Sequence, residues 1–424
     1  MIKKIKSIRG MKDYLPSKTK KICFIEQTII KILKEYSYKE IKLPIVEHTS
    51  LFKRAIGNVT DIIQKEMYTF LDKHGNNVTL RPEGTAGCVR SVIKHGLIHN
   101  KKQKLWYYGP MFRYERPQKG RYRQFYQIGV ETFGYDDVFI ELELIIILLK
   151  IWKKLKINKY VTLEINSIGS SQDRSKYSEK LFDFLKKNKN FLDKKLKKKI
   201  NKNCLKILDN NSKSIKKIKN VPLLKKYLNV FSKKKFKYLC ELLEKFSIKY
   251  KINPYLMRGL DYYNDIVFEW VTKKTNKNKQ TICAGGRYDT LTKILGGSNT
   301  PAIGFAIGIE RLMLLTKHIS NKKKCFTDVY LISIKKNDRT ITFKISEKIR
   351  NEIPWIKIIT NLNSSKLKKK LSLAIKKKSY IALIFGEKET KKNQVIMKYL
   401  NKRIQKKVFI NKIIKKLKKI FKQK

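Results

Sequence analysis

Cysteine is sparse in this chain: Cys23, Cys88, Cys204, Cys240, Cys283 and Cys325 are scattered, with no CxxC pair among them. The five histidines are scattered too, so no zinc framework or other metal ligand set is expected, and no disulfide is implied. A reducing, cytoplasmic setting fits that usage. Long apolar runs are also missing. The greasiest stretch, "LELIIILLKIWKKL", has its apolar centre between Glu143 and Lys153, well short of the ~20 residues a bilayer demands. It predicts a buried helix, and no membrane partner is expected. The start, "MIKKIKSIRGMKDYLP", lacks a sustained apolar core, so no secretory signal is expected there. No repeat of fixed period is visible.

Acidic residues are few: 34 against 99 lysines and arginines, a formal net charge of +65. A field of that size attracts polyanions and gives salt-dependent binding to nucleic acid. Roughly half of the excess is ascribed to composition bias, because Lys, Ile and Asn abound everywhere and solvated lysine faces cost little. The chain is 42% apolar with four tryptophans, which excludes a disordered polycation. Its 424 residues allow two or three domains.

Periodicity predicts helices over 20–36, 85–97 and 138–155. It predicts strands over 77–80, 105–113, 123–133, 266–271, 281–284 and 302–307. Residues 169–249 read as an inserted module of short, lysine-laden helices. After about residue 324 strands alternate with helices: strand 329–334, helix, strand 356–360, helix, strands 380–385 and 394–400, and a final helix. That order argues for a compact α/β domain. The closing helix puts Ile413, Ile414, Leu417 and Ile420 on one face, as a docked terminal helix does.

Arginine is the rare cation, 15 residues against 84 lysines, so its positions carry information. Four of them fall in "RYERPQKGRYR", Arg113–Arg123, where Pro117 and Gly120 mark the loop of a β-hairpin. Period-two counting puts Arg121, Arg123, Phe125, Gln127, Gly129 and Glu131 on one face, with Gly129 leaving space. Arg113 and Glu115 share a side of the first strand. Arginine's bidentate fork suits a planar, multiply charged anion better than the lysine point charge does. Upstream, "VTLRPEGTAGCVR" passes from strand to turn to helix. Thr85 is placed to cap that helix, and Glu83 stands where the helix dipole keeps a carboxylate ionised. In "GGRYDTLTKILGG" the glycines read as turns. In "PAIGFAIGIERLMLL" Gly304 and Gly308 interrupt a buried strand, and Glu310–Arg311 open a helix suited to phosphate.

Together these stretches resemble the histidyl-tRNA synthetases, a class II aminoacyl-tRNA synthetase family. "RGLDYY", "VFEW" and "CAGGRYD" look like the family's histidine-site signatures. "MFRYERPQKGRYRQFYQIGVE" is similar to motif 2 of the class and "AIGFAIGIERL" to motif 3. "IKLPIVEHTSLF" is similar to motif 1, with Pro44 as its proline. The resemblance implies an α+β fold: an antiparallel six-stranded catalytic sheet flanked by helices, a helical insertion and a C-terminal α/β anticodon-binding domain. Its expected limits are 1–168 and 250–323 for the catalytic domain, 169–249 for the insertion and 324–424 for the last domain.

The implied activity is ATP-dependent conversion of L-histidine to histidyl-adenylate and its transfer to the 3′ end of tRNA-His, with Mg2+, by a homodimer. Glu83, Gly84, Thr85, Gln127 and Glu131 match residues holding histidine, with Arg258, Tyr262 and Tyr263 around its carboxylate and ring. Arg113, Arg121, Arg311 and Glu115 match the ATP site, and Arg258 and Arg113 are the expected catalytic cations. Arg116, Gln118 and Arg123 match the loop meeting the tRNA acceptor end. Ile266 stands where threonine is usual, Thr290 where glycine is common, and "NLNSSKLKKK" replaces a glycine-rich turn. Two other readings are a catalytically silent relative that regulates ATP phosphoribosyltransferase, which tends to lose the signature arginines, and a generic basic RNA-binding protein, which has no use for a carboxylate-lined pocket.

Overall fold

A computed structural model describes residues 4–57, 60–188, 205, 218, 220–273, 280–316, 327–402 and 404–421. The chain divides into two compact units, Met1–Ile319 and Ser320–Lys424. The expected limit near residue 323 falls outside the described residues, as does most of the insertion between residues 189 and 219. At the insertion's two ends, helices Ser171–Lys187 and Val230–Lys245 are present.

The first unit begins with strands β1 (Lys39–Glu40), β2 (Val46–His48), β3 (Tyr68–Leu71) and β4 (Asn77–Leu80). It continues with β5 (Gln103–Phe112), β6 (Gln124–Phe133), β7 (Val161–Ser167), β8 (Tyr250–Ile252), β9 (Asn264–Thr272), β10 (Thr281–Arg287) and β11 (Ala302–Gly308). The large sheet runs β1-β5-β6-β11-β10-β9-β7-β8. Its six central strands pair antiparallel throughout, as expected, and the short β1 and β8 extend it at either edge by parallel pairing. A separate three-stranded sheet, β2-β4-β3, lies upstream of the hairpin.

Two apolar layers flank the large sheet. On one side the helices Pro16–Glu35 and Phe139–Lys154 pack together, with Ile25, Ile29, Leu148 and Trp152 fully buried. The greasy run is thus core on nearly all sides, which explains its weak periodicity. Proline opens the first helix at a position whose backbone N–H has no intrahelical partner. Helix Thr85–Lys94 belongs to the opposite layer, with Ala86, Cys88, Val89 and Val92 buried.

The second unit is a five-stranded sheet, β13-β12-β14-β15-β16. Its strands are β12 (Thr327–Ser333), β13 (Ile358–Asn361), β14 (Ser379–Phe385), β15 (Gln394–Tyr399) and β16 (Ile404–Phe409). The first three are parallel and the last two antiparallel, with Ile413 and Leu417 of helix Ile413–Ile420 buried in the core. In "NLNSSKLKKK" an Asn turn serves in place of glycine: Asn361 Oδ1 accepts the Asn363 N–H at 2.9 Å. Lys370, at the end of that stretch, is buried and donates to Ser333 O at 2.7 Å.

The short strands β1, β2, β3 and β8 escaped the sequence reading, and the longer β7 and β16 escaped it for opposite reasons. β7 is buried on both faces, so its side chains do not alternate in polarity. β16 is an exposed edge, and its lysines resemble loop composition.

Candidate active site

The hairpin β5–β6 pairs in register from Gln103↔Phe133 to Phe112↔Gln124, and Arg113 N–H closes its loop on Arg123 O at 2.9 Å. Strand β11 runs beside β6 with Gly304 opposite Glu131 and Gly308 opposite Gln127. A cavity of about 640 Å3 opens over these strands. Glu83, Gly84 and Thr85 reach it from the turn ahead of helix Thr85–Lys94, and Arg113, Glu115 and Arg121 from the hairpin loop. Gln127, Arg258, Tyr262, Tyr263 and Arg311 also stand on its walls, whereas Glu131, expected among the histidine-holding residues, is not part of the lining.

Three expectations for the turn and hairpin need correction. The helix is capped by Glu83, not Thr85: Glu83 Oε2 accepts the Thr85 N–H at 2.7 Å and Oε1 the Ala86 N–H at 2.9 Å. The Thr85 hydroxyl instead donates to Glu131 Oε1 at 2.8 Å. Nor does the helix dipole hold Glu83 low. Burial pushes its carboxyl above the usual range, against the two backbone hydrogen bonds and Arg113, because desolvation of a fully enclosed charge outweighs them.

The space at Gly129 is not vacant either. A Cβ there would lie 2.1 Å from Tyr107 Cζ, and one on Gly84 2.2 Å from Tyr107 Cε2. Tyr107 lies across both glycines and donates to Glu131 Oε1 at 3.0 Å. Gly304 serves the same end, since a Cβ on it would meet Glu131 Oε2 at 1.8 Å. Gly285 and Gly286, read as turn residues, lie inside β10; a side chain on Gly285 would strike Gly304 O at 2.3 Å.

Glu131 is therefore enclosed by design of its neighbours: it is 1% exposed and sits directly behind the cavity wall formed by Gly304 and Thr85. Thr85, Tyr107 and Tyr288 all donate to it. Burial raises its carboxyl to about 8, with the hydroxyls of Tyr288 and Thr85 pulling the other way.

The cations are anchored one by one. Arg113 Nε donates to Pro82 O at 2.8 Å, and its guanidinium lies 5.4 Å from the Phe125 ring centre. Arg311 donates to Thr281 O at 2.7 Å and to Gly120 O at 3.2 Å. Burial lowers its proton affinity, and nearby Arg121 and Arg113 lower it further. Arg121 pairs with Glu115 at 3.3 Å. Arg258 is ion-paired with Glu269 and lies 5.1 Å from the Tyr263 ring centre. Glu269 is fixed in turn by the Thr281 hydroxyl at 2.9 Å. Arginines thus ring one cavity whose walls also carry carboxylates, an arrangement able to draw two anions together.

Arg116, Gln118 and Arg123 lie outside this lining. Arg116 and Gln118 are exposed on the loop, and the Arg123 guanidinium stacks 3.6 Å from the Tyr114 ring centre. Tyr122, which period-two counting leaves off the face shared by Arg121 and Arg123, does line the cavity, because regular alternation starts only where β6 begins at Gln124. Thr290 has φ −90°, so no glycine is needed there, and Ile266 is fully buried.

Sequence reasoning gave no role to Tyr107, Tyr288, Glu269, Arg81 or Arg287. Arg81 fills the space over Gly109 and donates to Pro110 O at 2.9 Å and to Pro44 O at 3.3 Å, tying the proline of the motif 1 stretch to the hairpin. Arg287 and Glu141 form a fully buried pair at 2.8 Å. Only the Tyr107–Gly129 juxtaposition had a legible signal, the hairpin register.

An antiparallel six-stranded sheet carrying an arginine-bearing hairpin and a following strand–helix arginine, joined to a separate C-terminal α/β unit, defines a class II aminoacyl-tRNA synthetase. The histidyl-tRNA synthetase family profile matches residues 10–312, and that of the anticodon binding domain residues 328–420. The chain is 50% identical over 424 residues to a histidine–tRNA ligase of Buchnera aphidicola, covering 99% of each. It is 50% identical over 408 residues to one of Blochmanniella pennsylvanica, covering 95% of this chain and 93% of that one. The apo crystal structure of S. aureus histidyl-tRNA synthetase superposes with a TM-score of 0.81 at 30% identity, over 98% of this chain and all of the other. The chain belongs to the histidyl-tRNA synthetase family.

Proposed function

We propose that this protein activates L-histidine with ATP and transfers the histidyl group to the 3′ end of tRNA-His. One observation carries the reading: Arg113, Arg121, Arg258 and Arg311 share a cavity with Glu83, Gln127 and two buried tyrosines. In step one a histidine carboxylate oxygen attacks the α-phosphorus of ATP and the bond to pyrophosphate breaks. In step two a terminal ribose hydroxyl of the tRNA attacks the adenylate carbonyl, and AMP leaves. Both steps build negative charge at fixed positions. Each preorganised cation there is worth about 2.7–4 kcal/mol.

Arg258 bridges the amino-acid carboxylate and the α-phosphate, a bidentate task for which a lysine has the wrong geometry. Arg113, Arg121 and Arg311 hold the triphosphate, with Glu115 beside them. Histidine lies against Gly84, Thr85, Gln127, Tyr262 and Tyr263, with Glu131 behind. A neutral imidazole has one donor and one acceptor. Glu83, each of whose oxygens keeps a second lone pair beyond its backbone bond, and Tyr263 satisfy them. A ring isostere lacking those atoms leaves buried groups unpaired and is rejected.

Among the described residues no cluster of three metal-binding side chains occurs. Mg2+ would arrive bound to the triphosphate with Glu115 as a near carboxylate, and would supply positive charge against the pyrophosphate leaving group. Arg116, Gln118 and Arg123 face the acceptor end, and residues 324–424 the anticodon, aided by the basic field. Residues 1–168 and 250–323 form the catalytic domain, and 169–249 the insertion. The same reading includes a homodimer in the cytoplasm. The exposed Ile45, Val46, Phe70 and Leu71 around the small sheet supply apolar surface for self-association, and no described helix is long and apolar enough to cross a membrane.

Histidine-dependent exchange of pyrophosphate into ATP, followed by charging of tRNA-His, is the test. Activity with histidine alone among amino acids is expected. No exchange with Mg2+ and histidine present would point to the silent regulatory relative instead.

A further inference from the structure

The segment ahead of the first helix is bound to both halves of the proposed ATP site. Gly10 O accepts the Arg123 N–H at 2.9 Å, at the foot of the hairpin loop. Gly10 has φ +89°, and a Cβ there would come within 2.8 Å of Arg123 Cγ and 3.0 Å of Pro117 Cγ, so the backbone presses directly on the loop. The Lys12 ammonium lies 4.3 Å from the Tyr122 ring centre. Tyr14 then reaches the other half: its hydroxyl donates to Glu310 Oε1 at 2.8 Å, and its ring meets that of Tyr126 edge-on at 6.3 Å. Glu310 precedes Arg311 and accepts the Tyr126 N–H with both oxygens, at 3.0 and 3.1 Å.

A physical need for such bracing is evident. Arg113, Arg121 and Arg311 converge on one cavity, and Arg121 and Arg113 both disfavour the charged form of Arg311. Without phosphate between them the guanidinium groups repel, and the loop carrying Arg121 is the easier part to swing away. Among the described residues Arg311 meets that loop through one hydrogen bond, to Gly120 O at 3.2 Å.

We propose that residues 10–14 form a strap in which Gly10 and Tyr14 are positioning residues. Gly10 pins the hairpin foot, while Tyr14, through Glu310 and the Tyr126 amide, locks β6 to helix Ile309–Leu315. The spacing between Arg121 and Arg311 is thereby held open for a triphosphate before it arrives. Preorganisation of this kind acts on nucleotide affinity and leaves the histidine pocket alone. The proposal rests on the reading of Arg121 and Arg311 as triphosphate ligands.

Tyr14→Phe keeps the ring contact with Tyr126 and removes only the hydroxyl. In the full chain without substrates, hydrogen exchange at the Arg123 and Tyr126 amides is expected to speed up. In pyrophosphate exchange, KM for ATP is expected to rise roughly ten-fold, the scale of one lost hydrogen bond to a charged group. KM for histidine stays within about two-fold, and in an Arg121→Ala background the Tyr14→Phe effect on ATP disappears, since neighbours acting on one target are not additive. Unchanged amide exchange, or equal rises in both KM values, overturns the strap. Faster amide exchange in an enzyme whose wild type performs no pyrophosphate exchange would uphold the strap's mechanical role and defeat the functional reading instead.

Discussion

The Tyr288 hydroxyl donates to Glu131 Oε2, while Thr85 and Tyr107 donate to Oε1 of the same carboxyl. Three hydroxyl groups from a strand, a helix start and a post-strand turn thus meet on one acceptor that is 1% exposed. Each donor favours the ionised form, yet enclosure wins and the group is raised to about 8.

That shift fixes a pH dependence. The folded state holds the Glu131 proton more tightly than the unfolded chain, whose ordinary value is 4.5, so this group's contribution falls as pH climbs from there through about 8. Glu131→Gln carries no such proton. Its melting temperature is expected to gain on the wild type across that window and to hold a constant lead above it. Tyr288→Phe removes a donor that favours the charge, so the window is expected to extend to higher pH. Thermal scans at several pH values check both; a difference independent of pH refutes the assignment.

Arg258→Lys keeps a positive charge and loses the fork. Histidine-dependent exchange is expected to fall about 100- to 1000-fold with little change in melting temperature. Glu269→Gln leaves Arg258 charged but weakly oriented, so a smaller fall, of about ten-fold, is expected. Near-normal turnover in Arg258→Lys would remove that residue from the chemistry.

Gly304→Ala places a methyl 1.8 Å from Glu131 Oε2 and 2.5 Å from Val130 O. Backbone cannot retreat inside a six-stranded sheet, so a loss of about 1–3 kcal/mol by denaturant titration is expected, together with weaker histidine binding.

The Arg287–Glu141 pair is fully enclosed, and Arg287 also contacts Asp289 at 3.3 Å. Arg287→Met is expected to cost about 3–5 kcal/mol by leaving a buried carboxylate uncompensated. Adding Glu141→Leu should recover much of it, because the stranded charge is then gone. A double variant as unstable as the single one would mean that packing, not charge, sets the cost.

Much of the candidate site was legible in the sequence. Arg113, Arg121, Arg258 and Arg311 stood out because lysine supplies most other positive charge, and the hairpin betrayed itself by its proline, its glycine and the alternation beyond Gln124. Glu83, Gln127 and the tyrosine pair came with the motif strings. The greasy run announced the helix Phe139–Lys154, and the regular alternation of strand and helix announced the second unit.

Other features depended on partners distant along the chain. Whether Gly129 opened a hole or admitted a ring turned on Tyr107 across the hairpin. Whether Glu83 was ionised turned on the walls around it, since local dipole and desolvation oppose each other and only the enclosure sets their ratio. The pairing of Tyr14 with Glu310 spans 296 positions. Local sequence determined element type and the chemical character of each side chain, because propensity, periodicity and charge act over a few residues. Tertiary structure alone decided which carboxyl is buried, which glycine is filled and which tyrosine meets Glu310, because those outcomes depend on packing between segments that the chain separates.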